Sequence, residues 1–417
     1  MTEVTHRTVE TNGIRMHLAE AGTGPLVVLC HGFPECWYSW RRQLTALAQA
    51  GFHAVAPDLR GYGRTDQPRE VDQYTLLHAI GDVVGLLDAL GAEHAVIAGH
   101  DWGAPLVWGA AVLRPDRFHG VIALSGPFGA RGPSRPTTVM PQSADMLFYQ
   151  LYFQTPGVAE AEFERNVHDT IRRVLFSLSG DARPCEGSVM ASDAPGMVSR
   201  QGGFLDGMVN PPYLPSWITE ADIDFYAAEF AATGFRGGLN WYRDIDRNWE
   251  LLAPFAGAKV TVPALYITGE CDVVLNFPGV RDRISLMAKF VPNLRRTILL
   301  PGCGHWTQQE RPQEVNRQMI DFCASFRTGM EASGIGKRWG SHRSPHHATM
   351  GVRDRGGREE IDWQRWIAAL FVVLVLAGCA EGITGQAEPS KPPYSPASSP
   401  NMPEHGGGNL GGGGDSM

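Results

Sequence analysis

Unbroken apolar runs recur along the chain, each closed by a turn signal. They are Pro25–Cys30, His53–Pro57, Ala95–Ala98, Gly120–Ser125 and Val262–Gly269, and Arg295–Leu300 reads as the last strand although it opens on Arg295-Arg296-Thr297. A run of four to eight apolar residues without polar alternation predicts a strand covered on both faces. Between the runs the spacing changes. Trp40–Ala50 and Tyr74–Leu90 repeat apolar residues at threes and fours and stop at Gly51 and Gly91, which predicts helices with glycine ends. Arg311–Phe326, with Pro312 near its start, predicts a closing helix. Residues 5–20 alternate apolar and polar around Asn12-Gly13, the pattern of a hairpin. Strands taking turns with helices at this spacing predict an α/β protein with a mostly parallel sheet flanked by helices.

The alternation breaks near Gly126 and returns near Ala253. The stretch between is rich in helical spacing, glycine, proline and aromatics. It predicts a helical insertion forming a cap, or lid, over the carboxyl ends of the strands, where open α/β sheets bind ligands. The expected organisation is core 1–126, cap 127–252, core 253–328 and a C-terminal extension 329–417. Within that extension, residues 350–379 run from charged residues through an apolar stretch, Trp366–Leu376, to Leu376-Ala377-Gly378-Cys379. This resembles a bacterial lipoprotein signal, a device that works at a nascent N-terminus. We therefore expect a fused reading frame there, with membrane association as the alternative. From Ala387 onward Pro, Ser and Gly dominate, a composition that predicts disorder.

Composition narrows the function classes. The 417 residues carry 36 Lys and Arg against 44 Asp and Glu, a net charge of −8. That balance argues against nucleic acid or an anionic membrane as the main partner. The seven cysteines are scattered, with no C-x-x-C pair. They are expected to be free thiols of a reducing, cytoplasmic compartment and not a zinc site. Nothing at Met1–His6 has the form of an export leader.

The candidate chemistry sits where the run Ala95–Ala98 ends in Gly99-His100-Asp101-Trp102-Gly103 and a helix of small residues follows. Strand, tight turn and helix form the context of the nucleophile elbow of α/β-hydrolases, whose middle residue is normally serine. Here it is Asp101. A hydroxyl must lose a proton before it attacks, whereas a carboxylate is already an anion near neutral pH. It can attack an alkyl carbon directly and form an ester. Such electrophiles are epoxides and haloalkanes, not carboxylic esters. The ester must then be hydrolysed, which needs a base for water and an acid behind the base. This fold orders its triad nucleophile, acid, histidine. Asp272 follows the run at 264–269, and His305 follows the run at 295–300. Glu270 is the competing acid. The expected oxyanion donors are the backbone N–H groups of Trp102 and of Phe33, in His31-Gly32-Phe33-Pro34. His31 and His100 read as structural supports.

Opening an epoxide leaves an alkoxide that needs a proton, and a phenol can supply one. The insertion holds Tyr149-Gln150-Leu151-Tyr152-Phe153-Gln154-Thr155-Pro156-Gly157 and Gly234-Phe235-Arg236-Gly237-Gly238-Leu239-Asn240-Trp241-Tyr242-Arg243. With His31–Pro34, Gly61-Tyr62-Gly63-Arg64, the elbow and Gly304-His305-Trp306-Thr307-Gln308, these stretches resemble the soluble epoxide hydrolases over roughly residues 5–327. The chain looks like the bacterial members, with one catalytic domain and a cap. The resemblance implies an eight-stranded α/β-hydrolase sheet, Tyr149 and Tyr242 as paired donors to the epoxide oxygen, and Tyr152 as a packing neighbour. It also implies a small-molecule epoxide partner, no metal or organic cofactor, a detoxifying role, and a monomer or homodimer. The elbow by itself is shared with dehalogenases, so a haloalkane or haloacid dehalogenase is the rival, and a non-catalytic ligand-binding member of the fold is the second.

Overall fold

An eight-stranded sheet organises the molecule. In this computed structural model the described residues are 3–182 and 195–332, with side chains described as far as Phe326. The hairpin β1 (Thr5–Thr11) and β2 (Ile14–Ala21) turns at Asn12-Gly13, both with positive φ. Then come β3 (Leu26–Cys30), β4 (His53–Pro57), β5 (Ala95–His100) and β6 (Phe118–Leu124). Two short strands, β7 (Met146–Phe148) and β8 (Met197–Ser199), pair with each other in the insertion. The core resumes with β9 (Ala264–Gly269) and β10 (Leu294–Leu300). The strand order is β1-β2-β4-β3-β5-β6-β9-β10. β2 pairs antiparallel with both neighbours, and the pairs from β4 to β10 are parallel. This is the α/β-hydrolase fold.

The central strands are apolar throughout because both faces are covered. Every residue of β3, β5 and β9 is buried. The helices Arg41–Gln49, Leu76–Ala89, Gly103–Leu113 and Pro312–Ala332 flank the sheet. Between β6 and β9 the chain is mainly helical, with Val167–Ser177, Glu220–Thr233, Arg236–Arg243 and Ile245–Leu251 as its longer elements. The helix Arg236–Arg243 approaches the loop after β4 closely. A Cβ on Gly237 would lie 2.1 Å from the Gly61 carbonyl oxygen, so only glycine permits that approach.

Among the described residues no helix is long and apolar enough to cross a membrane, and no cluster of His, Cys, Asp and Glu could hold a metal ion. The lipoprotein-like segment at 350–379 and the glycine-rich end lie outside the described residues.

Candidate active site

The chain leaves β5 into the helix Gly103–Leu113 through one residue at positive φ, Asp101 at 51°. For a residue with a Cβ that conformation is uncommon and strained. The flanking glycines are required by space. A Cβ on Gly99 would lie 2.1 Å from the Gly103 carbonyl oxygen, and one on Gly103 would lie 2.2 Å from that of Cys30. The turn therefore lifts the Asp101 carboxylate clear of the strand end, with its side chain 18 % exposed.

The loop after β3 meets this carboxylate. The Phe33 N–H donates to Asp101 Oδ1 at 2.8 Å, and the Phe33–Pro34 peptide is cis. Gly32 leaves room for the approach: a Cβ there would lie 2.3 Å from the Asp101 Cβ. Among the described hydrogen bonds, none runs from the Trp102 N–H to this carboxylate, while its indole packs edge-on to Tyr242 with ring centroids 5.1 Å apart.

On the other side stands His305, presented by the loop after β10. Its Nε2 is 3.5 Å from Asp101 Oδ2, and its Nδ1 is 3.0 Å from Asp272 Oδ1. Asp272 is fully buried at the end of β9. It also accepts from the Val274 N–H at 3.0 Å. Burial disfavours the charged form of both groups, and their mutual attraction overcomes it. Despite burial, Asp272 and Asp101 hold the His305 imidazolium well above its usual value. Despite burial, His305, the Ser125 hydroxyl and the Val274 N–H keep the Asp272 carboxyl below its usual value.

Facing the carboxylate is a cavity that encloses about 520 Å³ of space, part of it open to solvent. Asp101, His305, Tyr149 and Tyr242 line it together with apolar side chains, among them Phe33, Phe153, Phe204 and Phe277. The rings of Tyr149 and Tyr242 meet edge to face at 5.9 Å. Burial, with the Asp101 charge adding to it, raises both phenols well above their usual value. Both are thus neutral hydrogen-bond donors near pH 7. Their short helices are fastened together. Gln154 donates to the Gln150 carbonyl at 2.9 Å and to the Tyr242 carbonyl at 2.8 Å, and Arg243 donates to the Phe153 carbonyl at 3.1 Å. Tyr152 points its hydroxyl to Glu162 at 2.8 Å, away from this site.

The structure thus brings Asp101, His305, Asp272, Tyr149, Tyr242 and Phe33 to one place. Sequence reading missed others. Glu35 is fully buried, accepts from the Gly32 N–H at 3.0 Å, and lies 2.8 Å from His100 Nδ1. His100 Nε2 in turn lies 2.8 Å from the His305 carbonyl oxygen, so His100 is a bridge beneath the site. Burial opposes the ionisation of Glu35, but His100, Ser39 and His31 hold its carboxyl down at about 2. The only signal for it was a carboxylate one residue beyond His31–Pro34. Ser125, at positive φ where β6 ends, sets its hydroxyl 3.1 Å from His305 Nδ1. Glu270, the competing acid, instead accepts from the Gly302 N–H at 3.1 Å.

One expectation is corrected here. Cys271, beside Asp272, is disulfide-bonded and not a free thiol. Scattered spacing carries no information on which cysteines the fold brings together. Cys30, Cys36 and Cys303 are buried free thiols.

A profile of the α/β hydrolase fold family matches residues 25–312, which places the chain in that class. Epoxide hydrolase A of Mycobacterium tuberculosis is 45 % identical over 332 residues, 78 % of this chain and 98 % of that one. Epoxide hydrolase 3 of Siraitia grosvenorii is 44 % identical over 78 % of this chain and all of that one. A solved epoxide hydrolase from an endophytic Streptomyces superposes with a TM-score of 0.74 at 44 % identity, covering 78 % of this chain and 96 % of that chain. The chain belongs to the epoxide hydrolases, as its resemblance to the bacterial members led us to expect. The dehalogenase and the ligand-binding rivals give way to that membership.

Proposed function

We propose that this epoxide hydrolase converts a small apolar epoxide to a vicinal diol through a covalent ester on Asp101. The observation that carries the reading is one cavity shared by the elbow carboxylate, two phenols and an imidazole. In the first step an Asp101 oxygen bonds to a ring carbon. The carbon–oxygen bond on that carbon breaks, and its electron pair goes to the epoxide oxygen. Tyr149 and Tyr242 stabilise that oxygen, and one of them gives it a proton. Ester formation removes the negative charge from Asp101. His305 loses one of the two carboxylates that hold its proton, releases that proton to the phenolate and becomes a neutral base.

In the second step His305, oriented by Asp272, takes a proton from water as the oxygen adds to the ester carbonyl. The N–H groups of Phe33 and Trp102 hold the oxyanion. Collapse expels the diol oxygen, which takes the proton of the new carboxyl group. Asp101 returns as a carboxylate and His305 as an imidazolium, so protons and charges balance. On this reading 127–252 is the cap that supplies the phenols, and 1–126 with 253–328 is the core that supplies the triad. No metal or organic cofactor enters. We assign the enzyme a cytoplasmic, detoxifying role as a monomer or homodimer, which fractionation and size-exclusion chromatography test.

A single turnover in ¹⁸O-labelled water tests the covalent step. The first diol is expected to be unlabelled and the label to reside on Asp101. Label in that first diol refutes attack by the carboxylate.

A further inference from the structure

The two stretches bearing the phenols contain polar residues that the mechanism has not used, and one of them touches a reacting atom. The Gln150 side-chain amide donates to the Tyr149 hydroxyl oxygen at 3.0 Å. A phenol has one proton and two acceptor positions, and the proton turns about the carbon–oxygen bond to suit its neighbours. With an amide N–H on one side of the oxygen, the proton takes the other side. Among the described residues the Tyr149 hydroxyl donates to no protein acceptor, and Tyr149 lines the cavity with Asp101. The main-chain carbonyl of Gln150 accepts from the Gln154 side chain, which bonds the Tyr242 carbonyl as well.

We propose that Gln150 is a positioning residue that fixes the rotor of the Tyr149 hydroxyl, aims its proton into the cavity, and stabilises the phenolate left when that proton passes to the epoxide oxygen. The inference rests on the mechanism above. The same contact serves before and after transfer, because an N–H that donates to a phenol donates more strongly to a phenolate. The bonds are those already written: the proton leaves Tyr149 for the alkoxide, and the negative charge stays on Tyr149 beside the amide until His305 returns a proton. Gln150 thus acts in ester formation, whereas ester hydrolysis depends on His305 and Asp272.

The two steps are separable by stopped-flow tryptophan fluorescence, with Trp102 in the site as the reporter and styrene oxide as the probe. Gln150→Leu removes the donor. Ester formation is expected to slow about tenfold, a fraction of a general acid's contribution, with hydrolysis of the ester unchanged within twofold. Gln150→Glu keeps the shape, so it remains readable where leucine disturbs the packing. It replaces a donor with an acceptor that draws the phenol proton away, and it is expected to slow ester formation more than leucine does. In a Tyr149→Phe background the Gln150→Leu loss is expected to vanish.

Equal slowing of both steps by both variants overturns the proposal in favour of a structural role. A loss that multiplies with that of Tyr149→Phe overturns it too, since the two side chains then act independently. If Tyr149→Phe itself leaves ester formation unchanged, the assignment of Tyr149 as a donor falls and Gln150 falls with it. The first two results leave that assignment standing, so the two failures are distinguishable.

Discussion

At the scale of single residues the site is a problem in holding charge. Two carboxylates stand within 3.5 Å of one imidazole, on its opposite nitrogens, in a largely apolar setting. Each carboxylate favours the imidazolium, so the resting enzyme holds His305 charged, well above its usual pKa. Esterification of Asp101 removes one of those carboxylates, and the His305 pKa falls. Ester hydrolysis then needs neutral His305, so its rate is expected to rise with pH through that lowered value. Lowering the pH should therefore make the ester accumulate, which quenched-flow mass spectrometry of the protein reads as a larger alkylated fraction. His305→Gln should trap the ester at every pH and slow its hydrolysis by about 10²–10⁴-fold. An alkylated fraction independent of pH refutes the coupling. The positions of these three residues were legible in the sequence because fold and triad order place Asp101, Asp272 and His305 just past strand ends. Glu35 and Ser125 were not legible, since their partners His100 and His305 come to them only through tertiary contact.

At the scale of elements the phenols depend on how the helix Arg236–Arg243 is anchored. Asp244 joins it to the helix Ile245–Leu251 and is buried, with one carboxyl oxygen lacking a partner. Burial, with Asp72 adding to it, pushes the Asp244 carboxyl up to about 7, against a smaller pull from the Tyr74 N–H. An acid whose folded value lies above its unfolded value stabilises the protein below the unfolded value, near 4. That contribution is lost as pH rises through about 7. The melting temperature is expected to fall between pH 5 and pH 8 by the equivalent of roughly 2–4 kcal/mol, and Asp244→Asn should flatten that fall. A slope unchanged in the variant would exclude Asp244 as its source. The central strands β3, β5 and β9 were legible because burial on both faces leaves no polar alternation. β7 and β8 were not, since three-residue strands carry no period. The closing helix also runs six residues past the expected Phe326, to Ala332, because helix ends are set by capping and contact more than by periodicity.

At the scale of the whole molecule the functional groups come from distant parts of the chain. Asp101 and Phe33 come from before the insertion, Tyr149 and Tyr242 from within it, and Asp272 and His305 from after it. The insertion is fastened to the triad directly. The Leu178 carbonyl accepts from the His305 N–H at 2.9 Å, and the Leu175 carbonyl accepts from the Trp306 indole at 2.7 Å. The first-strand hairpin is bound to the rest through Thr11 and Asn12, whose side chains donate to the Asp82 carbonyl at 2.8 Å and to the Asp82 carboxylate at 2.9 Å. Each group named in the mechanism, with its supporting bonds, lies between Thr5 and Ala332, and the relatives match 78 % of the chain. A chain ended after Ala332 keeps the last helix whole, whereas one ended at Thr328 removes its final turn. The shorter protein ending at Ala332 is therefore expected to match the full chain in kcat/KM on a terminal epoxide within about twofold, and in melting temperature within a few degrees. A loss of kcat/KM by more than tenfold would show that residues beyond 332 act on the site, and would replace the reading of that extension as a fused frame with a functional one.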